Sequence, residues 1–209
     1  MAVASVKDQD LLKDSTIYVS LEPCNHHGRT PACTNLILDK QIPRVVVGSL
    51  DPNPRVAGSG LKRLMDSGVE VSIAKDPAPF VLLNKGFWMG QLERRPWVTL
   101  KWAQTADGMI GDSRKRLKIT GTAANREVHR LRAKHAGIMI GRGTAAADTP
   151  SLTTRLHPGP DPVRVVVDSQ LRLVDSERPF AQHGLTLWFN TLETSESGSV
   201  CKVKLEDVY

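Results

Sequence analysis

Apolar and polar positions along the chain follow two periods, and their order predicts layered α/β architecture. Thr16–Ser20 is a short β-branched run and predicts a strand; Arg44–Ser49 is a nearly continuous apolar run of the kind buried on both faces of a parallel sheet; Glu70–Ile73 predicts a third strand. Between them, Pro31–Asp39 places Ala32, Leu36 and Ile37 at helical spacing, and Gly60–Ser67 places Leu61, Leu64 and Met65 on one face. Ala78–Gly90 predicts a further helix. The polar segment Gln91–Pro96, closed by proline, predicts a boundary between a domain over 1–92 and another over 97–209. The second domain is predicted to open with a strand at Trp97–Gln104. A helix over Asn125–Lys134 follows, then strands at Gly137–Gly141, Arg164–Asp168, Thr186–Phe189 and Val200–Leu205. Strands alternating with short helices define an α/β class with parallel sheets.

Composition narrows the class. No run approaches about 18 consecutive apolar residues, so no segment is expected to span a membrane. Met1–Asp14 is polar and mixed in charge, unlike a signal or transit peptide, and the expected location is cytoplasmic. Three cysteines, Cys24, Cys33 and Cys201, argue against a disulfide framework and for a metal or catalytic use of the closely spaced pair. The net charge of +6 suits nucleic acid or an anionic small substrate. With aromatic residues at 5% and the basic residues scattered, no nucleic-acid partner is expected.

The densest chemistry lies in Leu21-Glu22-Pro23-Cys24-Asn25-His26-His27-Gly28-Arg29-Thr30-Pro31-Ala32-Cys33, which leaves a strand and enters a helix. Two thiolates on one loop–helix corner can ligate a single zinc, and a catalytic zinc takes three protein ligands and keeps one place for water. Such a zinc lowers the pKa of its water to about 7. The bland alternative is a structural cysteine pair with incidental histidines. Nucleobase deaminases combine a His-x-Glu with Pro-Cys-x-x-Cys. Here Pro23-Cys24 fits that pattern, but eight residues separate Cys24 from Cys33.

That insert resembles the deaminase half of the bifunctional deaminase/reductase family of riboflavin biosynthesis. Asp51-Pro52-Asn53-Pro54, Val56-Ala57-Gly58-Ser59-Gly60 and Asn84-Lys85-Gly86-Phe87 carry the likeness onward. Pro96–Gly108, Ile119-Thr120-Gly121, His129-Arg130-Leu131-Arg132, Gly137–Thr144, Asp148–Arg155 and Asp168-Ser169 resemble its reductase half. The resemblance implies a cytidine-deaminase-like α/β/α domain followed by a dihydrofolate-reductase-like α/β domain. It implies deamination of a phosphoribosylaminopyrimidine, then reduction of its ribosyl group to ribityl by NADPH. It assigns Cys24 and Cys33 to zinc, and His26, Arg29, Asp51, Asn53, Arg116, Arg132, Leu152 and Arg155 to the substrate. It assigns Ala103, Lys118, Thr144, Asp148 and Ser169 to NADP, and Lys101 and Asp148 to the reacting sugar.

Each assignment has an ordinary counterpart. Asp51-Pro52 and Asn53-Pro54 are turn formers. Arg132 is placed to offset a helix dipole, Lys101 to snorkel from a strand and Thr144 to cap a helix. The basic cluster Arg114-Lys115-Arg116 with Lys118 suits a cofactor 2′-phosphate and a solvated loop equally.

No histidine precedes His26, so the His-x-Glu that would supply the third zinc ligand and the proton shuttle is not found upstream of Cys24. The chain is expected to be inactive as a deaminase for want of that motif. The family's later acidic substrate residue and glycine-rich NADP loop are not found either, so it is expected to be a piece of both halves with weak or absent NADPH binding, from a parent that forms homo-oligomers. Two other readings are a nucleic-acid deaminase and a non-catalytic zinc-binding assembly module.

Overall fold

A computed structural model describes residues 2–28, 30–54, 56–111, 117–174, 180 and 183–206. The chain divides into two compact units, Met1–Leu100 and Lys101–Tyr209.

In the first unit, α1 (Ala2–Ser5) and a 3-10 turn (Gln9–Asp14) lead into β1 (Thr16–Val19). Helix α2 (Cys33–Asp39), β2 (Arg44–Val47), α3 (Ser59–Asp66) and β3 (Glu70–Ile73) follow. The strands form a parallel sheet in the order β1-β2-β3, with Val45 opposite Ile17 and Val71. Val45 and Val47 point into a core with Val3, Leu12, Ile37, Ile42, Leu61, Leu64 and Val69.

The expectation that Arg44–Ser49 is buried on both faces holds for one face. Val46 is half-buried, and Tyr18, beside it in register, is 75% exposed. A sheet face is dry only where a second layer covers it, and α2 and α3 pack on the Val45/Val47 side. At the end of β2 the Phe80 ring occupies the space a Gly48 side chain would need, with a Cβ there meeting it at 2.3 Å.

Helices α2 and α3 end in the same device. After α3, the Gly68 N–H donates to the Met65 carbonyl and Val69 to Leu64, with Gly68 at φ 82°. After α2, Gln41 donates to Leu38 and Ile42 to Ile37, with Gln41 at φ 54°. These are Schellman closures, and each returns an apolar residue, Val69 or Ile42, to the core.

The single helix expected over Ala78–Gly90 is two, α4 (Ala78–Leu83) and α5 (Lys85–Leu92), broken at Asn84. The Asn84 side chain donates to the Phe80 carbonyl at 2.9 Å, competing with helix continuation. The strand expected at Trp97–Gln104 does not form. A strand needs a neighbour to take its backbone groups, and no described strand lies beside this run. Val98, Leu100 and Trp102 are 63%, 79% and 65% exposed, and Trp97 lies beneath Lys85, whose Nζ is 4.5 Å from the ring centroid.

The second unit contains α6 (Thr122–Lys134), β4 (Gly137–Gly141), α7 (Arg142–Asp148), β5 (Val163–Val167), β6 (Thr186–Asn190), β7 (Ser195–Ser197) and β8 (Val200–Lys204). Its sheet runs β4-β5-β6-β8-β7, parallel except for the β7–β8 hairpin. Gly198 at φ 58° supplies the left-handed conformation of that two-residue turn. Trp188 stacks on Phe180 with ring centroids 4.2 Å apart, packed with Ala145, Val166 and Leu173. Among the described residues no helix is long and apolar enough to cross a membrane.

Candidate functional site

In the first unit, Glu22 organises the corner that carries the cysteines. Its carboxylate is 4% exposed and accepts four backbone N–H groups: Asp51 at 3.2 Å, Gly58 at 2.9 Å, Gly60 at 2.9 Å and Leu61 at 3.4 Å. The segment after β2 and the start of α3 are thereby drawn onto the segment after β1. Gly60 is required there, because a Cβ would come within 2.0 Å of the Pro23 carbonyl oxygen. Asn25 extends the link. It accepts from Thr34 Oγ1 at 3.2 Å and from Arg63 at 2.8 Å.

Cys24 and Cys33 meet across this corner. The Cys33 N–H donates to Cys24 Sγ at 3.2 Å, and burial, with the neighbouring Cys24 sulfur, pushes the Cys33 thiol up. The pair offers two sulfur donors to one point. Among the described residues no third His, Cys, Asp or Glu joins them in a group able to hold a metal. A catalytic zinc with three protein ligands therefore does not fit the donors present.

His26 is exposed beside the pair. Asp51 Oδ1 accepts the Asn53 N–H at 2.8 Å, so that carboxylate builds the turn its Asp-Pro sequence suggests. Asp51 and Asn53 are half-buried at the same corner. Arg29, assigned to the substrate by resemblance, lies outside the described residues, as does Arg116.

In the second unit two arginines, Arg132 and Arg155, meet at the loop around Thr153. Arg132, in the last turn of α6, donates to the Thr153 carbonyl at 2.8 Å, and Arg155 donates to Thr153 Oγ1 at 2.6 Å. Burial holds the Arg132 pKa below its usual value, and the adjacent Arg155 charge adds to this. Among the described residues neither guanidinium has an ion-pair partner, and Arg132 Nε is buried without an acceptor.

The loop is fixed from three sides. Leu152 is 3% exposed at φ 56°, the Thr154 N–H donates to Asp161 Oδ1 at 2.5 Å, and the Arg155 N–H donates to His129 Nδ1 at 2.8 Å. Arg132, Leu152 and Arg155 are thus brought together. His129 and Asp161, assigned no role from the sequence, hold them there.

The residues expected at a nucleotide divide in two groups. Gly141 and Val167 are paired in register, so Thr144, three residues past the end of β4, and Ser169, two past β5, leave the sheet at one carboxyl edge. Ligands of open α/β sheets sit at such edges. A Cβ on Gly141 or Gly143 meets nothing within 4 Å, so the backbone there is open to close approach. Thr144 lies inside α7, whose N-cap is Gly141, so it is not the cap. Asp148 ends the same helix and is exposed.

Lys101, Ala103 and Lys118 lie in the run without helix or strand, with both lysines exposed. Among the described residues Lys101 and Asp148 share no ion pair. Asp168 is buried, and its Oδ2 accepts the Leu173 N–H at 2.9 Å, which closes the turn that presents Ser169.

A parallel three-stranded sheet, and a five-stranded sheet parallel but for one hairpin, define a protein of the α/β class. The RibD C-terminal domain matches residues 96–208, and the chain belongs to the RibD family. It is 44% identical to the riboflavin biosynthesis protein RibD of Actinobacillus pleuropneumoniae over 77% of this chain and 43% of that protein. It is 38% identical to RibD of Escherichia coli over 88% of this chain and 54% of that protein. Among solved structures, the diaminohydroxyphosphoribosylaminopyrimidine deaminase/5-amino-6-(5-phosphoribosylamino)uracil reductase of Thermotoga maritima superposes with a TM-score of 0.79 at 37% identity. That match covers 92% of this chain and 55% of the other. Acinetobacter baumannii RibD gives 0.82 at 30% identity, covering 95% and 58%. The chain spans about half the length of the curated relatives it matches.

Proposed function

We propose that the second unit binds the phosphate of a phosphoribosyl pyrimidine at Arg132 and Arg155 and serves the reduction of its ribosyl group in riboflavin biosynthesis. The observation that carries this reading is the convergence of two guanidiniums on Thr153, with neither in an ion pair among the described residues and Asp161 the acidic charge that acts on Arg132. Guanidinium groups bind phosphate through two parallel N–H bonds, and partial burial strengthens them.

NADPH, when bound, supplies the hydride. Thr144 and Ser169 at the shared sheet edge would hold it, with Asp148 from the end of α7 and Ala103 and Lys118 from the run before α6. Lys101 would polarise the ribosyl carbonyl carbon's oxygen, and Asp148 would orient the sugar.

On the same reading, residues 1–92 belong to a cytidine-deaminase-like zinc domain and 97–209 to a dihydrofolate-reductase-like domain, in a protein that acts on a small molecule as a homo-oligomer. His26, Asp51 and Asn53, together with Arg29 by resemblance, would bind the pyrimidine. Cys24 and Cys33 give two sulfur ligands, and no deamination step follows from these donors alone.

The test is calorimetric titration with the phosphoribosylaminopyrimidine and with its dephosphorylated form. Phosphate is expected to tighten binding about 30-fold, a difference of about 2 kcal/mol, and Arg132→Ala to remove that advantage. Equal affinity for the two forms would remove the phosphate reading.

A further inference from the structure

His129 is one of the few polar side chains buried in the second unit, at 6% exposure, and nothing in the proposed chemistry uses it. Its Nδ1 accepts two backbone N–H groups from the loop that carries the arginines, Arg155 at 2.8 Å and Leu156 at 3.4 Å. A ring nitrogen that accepts from two donors must carry its lone pair outward. The imidazole is therefore neutral with its proton on Nε2. Arg132 stands three residues later on α6, so the same helical face supplies one phosphate-binding cation and the acceptor that fixes the other.

We infer that His129 is a positioning residue for the anion site, holding the backbone at Arg155 and Leu156 so that Arg132 and Arg155 address one phosphate. This rests on the proposed phosphate reading. The charged groups facing His129 are Arg132, Arg155 and Asp161, and burial with the two arginines holds its pKa below the usual histidine value. A protonated ring would set Nδ1–H against two N–H donors, so the device works only in its neutral state. A core leucine would fill the same volume but leave two loop N–H groups without an acceptor.

The test compares His129→Asn, whose Oδ1 takes the place of Nδ1, with His129→Leu. The probe is ribose 5-phosphate, read by calorimetry, with the order of the Arg155 and Leu156 amides read by ¹⁵N relaxation in the free protein. His129→Asn is expected to keep both amides ordered and affinity within about twofold of the parent, and His129→Leu to lose loop order and about tenfold in affinity. Equal behaviour of the two variants, whether both match the parent or both lose binding while the unit stays folded, overturns the inference. An ordered loop in the parent with no affinity for ribose 5-phosphate overturns the phosphate reading itself. Lost amide order in His129→Leu alone would still show the positioning contact.

Discussion

Glu22 holds together what the sequence separates by roughly thirty residues, because a buried carboxylate must find donors and the backbone at 51–61 supplies four. Replacement by alanine leaves those amides buried without an acceptor. Glu22→Ala is expected to destabilise the first unit by about 3 kcal/mol in denaturant unfolding, and Glu22→Gln by less. A loss below about 1 kcal/mol for the alanine variant would show the amides to be solvated.

His129 gives a pH dependence with a definite sign. Its folded pKa lies below its unfolded value of about 6.5, so the unfolded chain binds the proton first as pH falls. The contribution is complete above that value and is lost as pH drops through it. Stability of the second unit is expected to decrease from pH 7.5 to pH 5 by chemical denaturation, with a smaller decrease in His129→Asn. Parallel curves would contradict the burial of a neutral ring.

Cys24, Cys33 and the cation pair were legible as residue types in the sequence. Glu22, His129 and Asp161 were not, because their roles depend on which distant amides the fold delivers to them.

At the scale of elements, period and boundary residues were sufficient wherever a segment packs on a neighbour. Strands at 16–19, 44–47, 70–73 and 137–141 match the apolar runs closely. The run at 97–104 has the same alternation and forms no strand, because pattern describes a capacity to pair and not the presence of a partner. Helix α7 was hidden for the converse reason. Its Gly-Thr-Ala sequence carries no amphipathic stripe, and only Ala145 is buried.

The α2 closure shows a cost the sequence alone conceals. Gln41 adopts φ 54°, a conformation glycine reaches without strain. Gln41→Gly is expected to raise the stability of the first unit by about 0.5–1 kcal/mol, read as a higher urea midpoint. A lower midpoint would mean that the side chain contributes more than the backbone strain removes.

For the whole molecule, family membership rests on the match over 96–208, while the first unit is joined to the same relatives by the wider sequence likeness. Arg94 and Lys101, neither followed by proline, are exposed in a stretch without helix or strand past α5. Brief tryptic digestion is expected to cut there first and release two resistant pieces, identified by mass spectrometry. Early cleavage inside α3 or β5 would contradict two compact units.

The most direct measurement is an NMR titration of ¹⁵N-labelled chain with ribose 5-phosphate. The account predicts saturable shifts at Thr153, Arg155 and the Arg132 side chain, abolished in Arg132→Ala. Saturable shifts confined to other residues, or none at millimolar ligand, would show that the paired arginines are not a phosphate site.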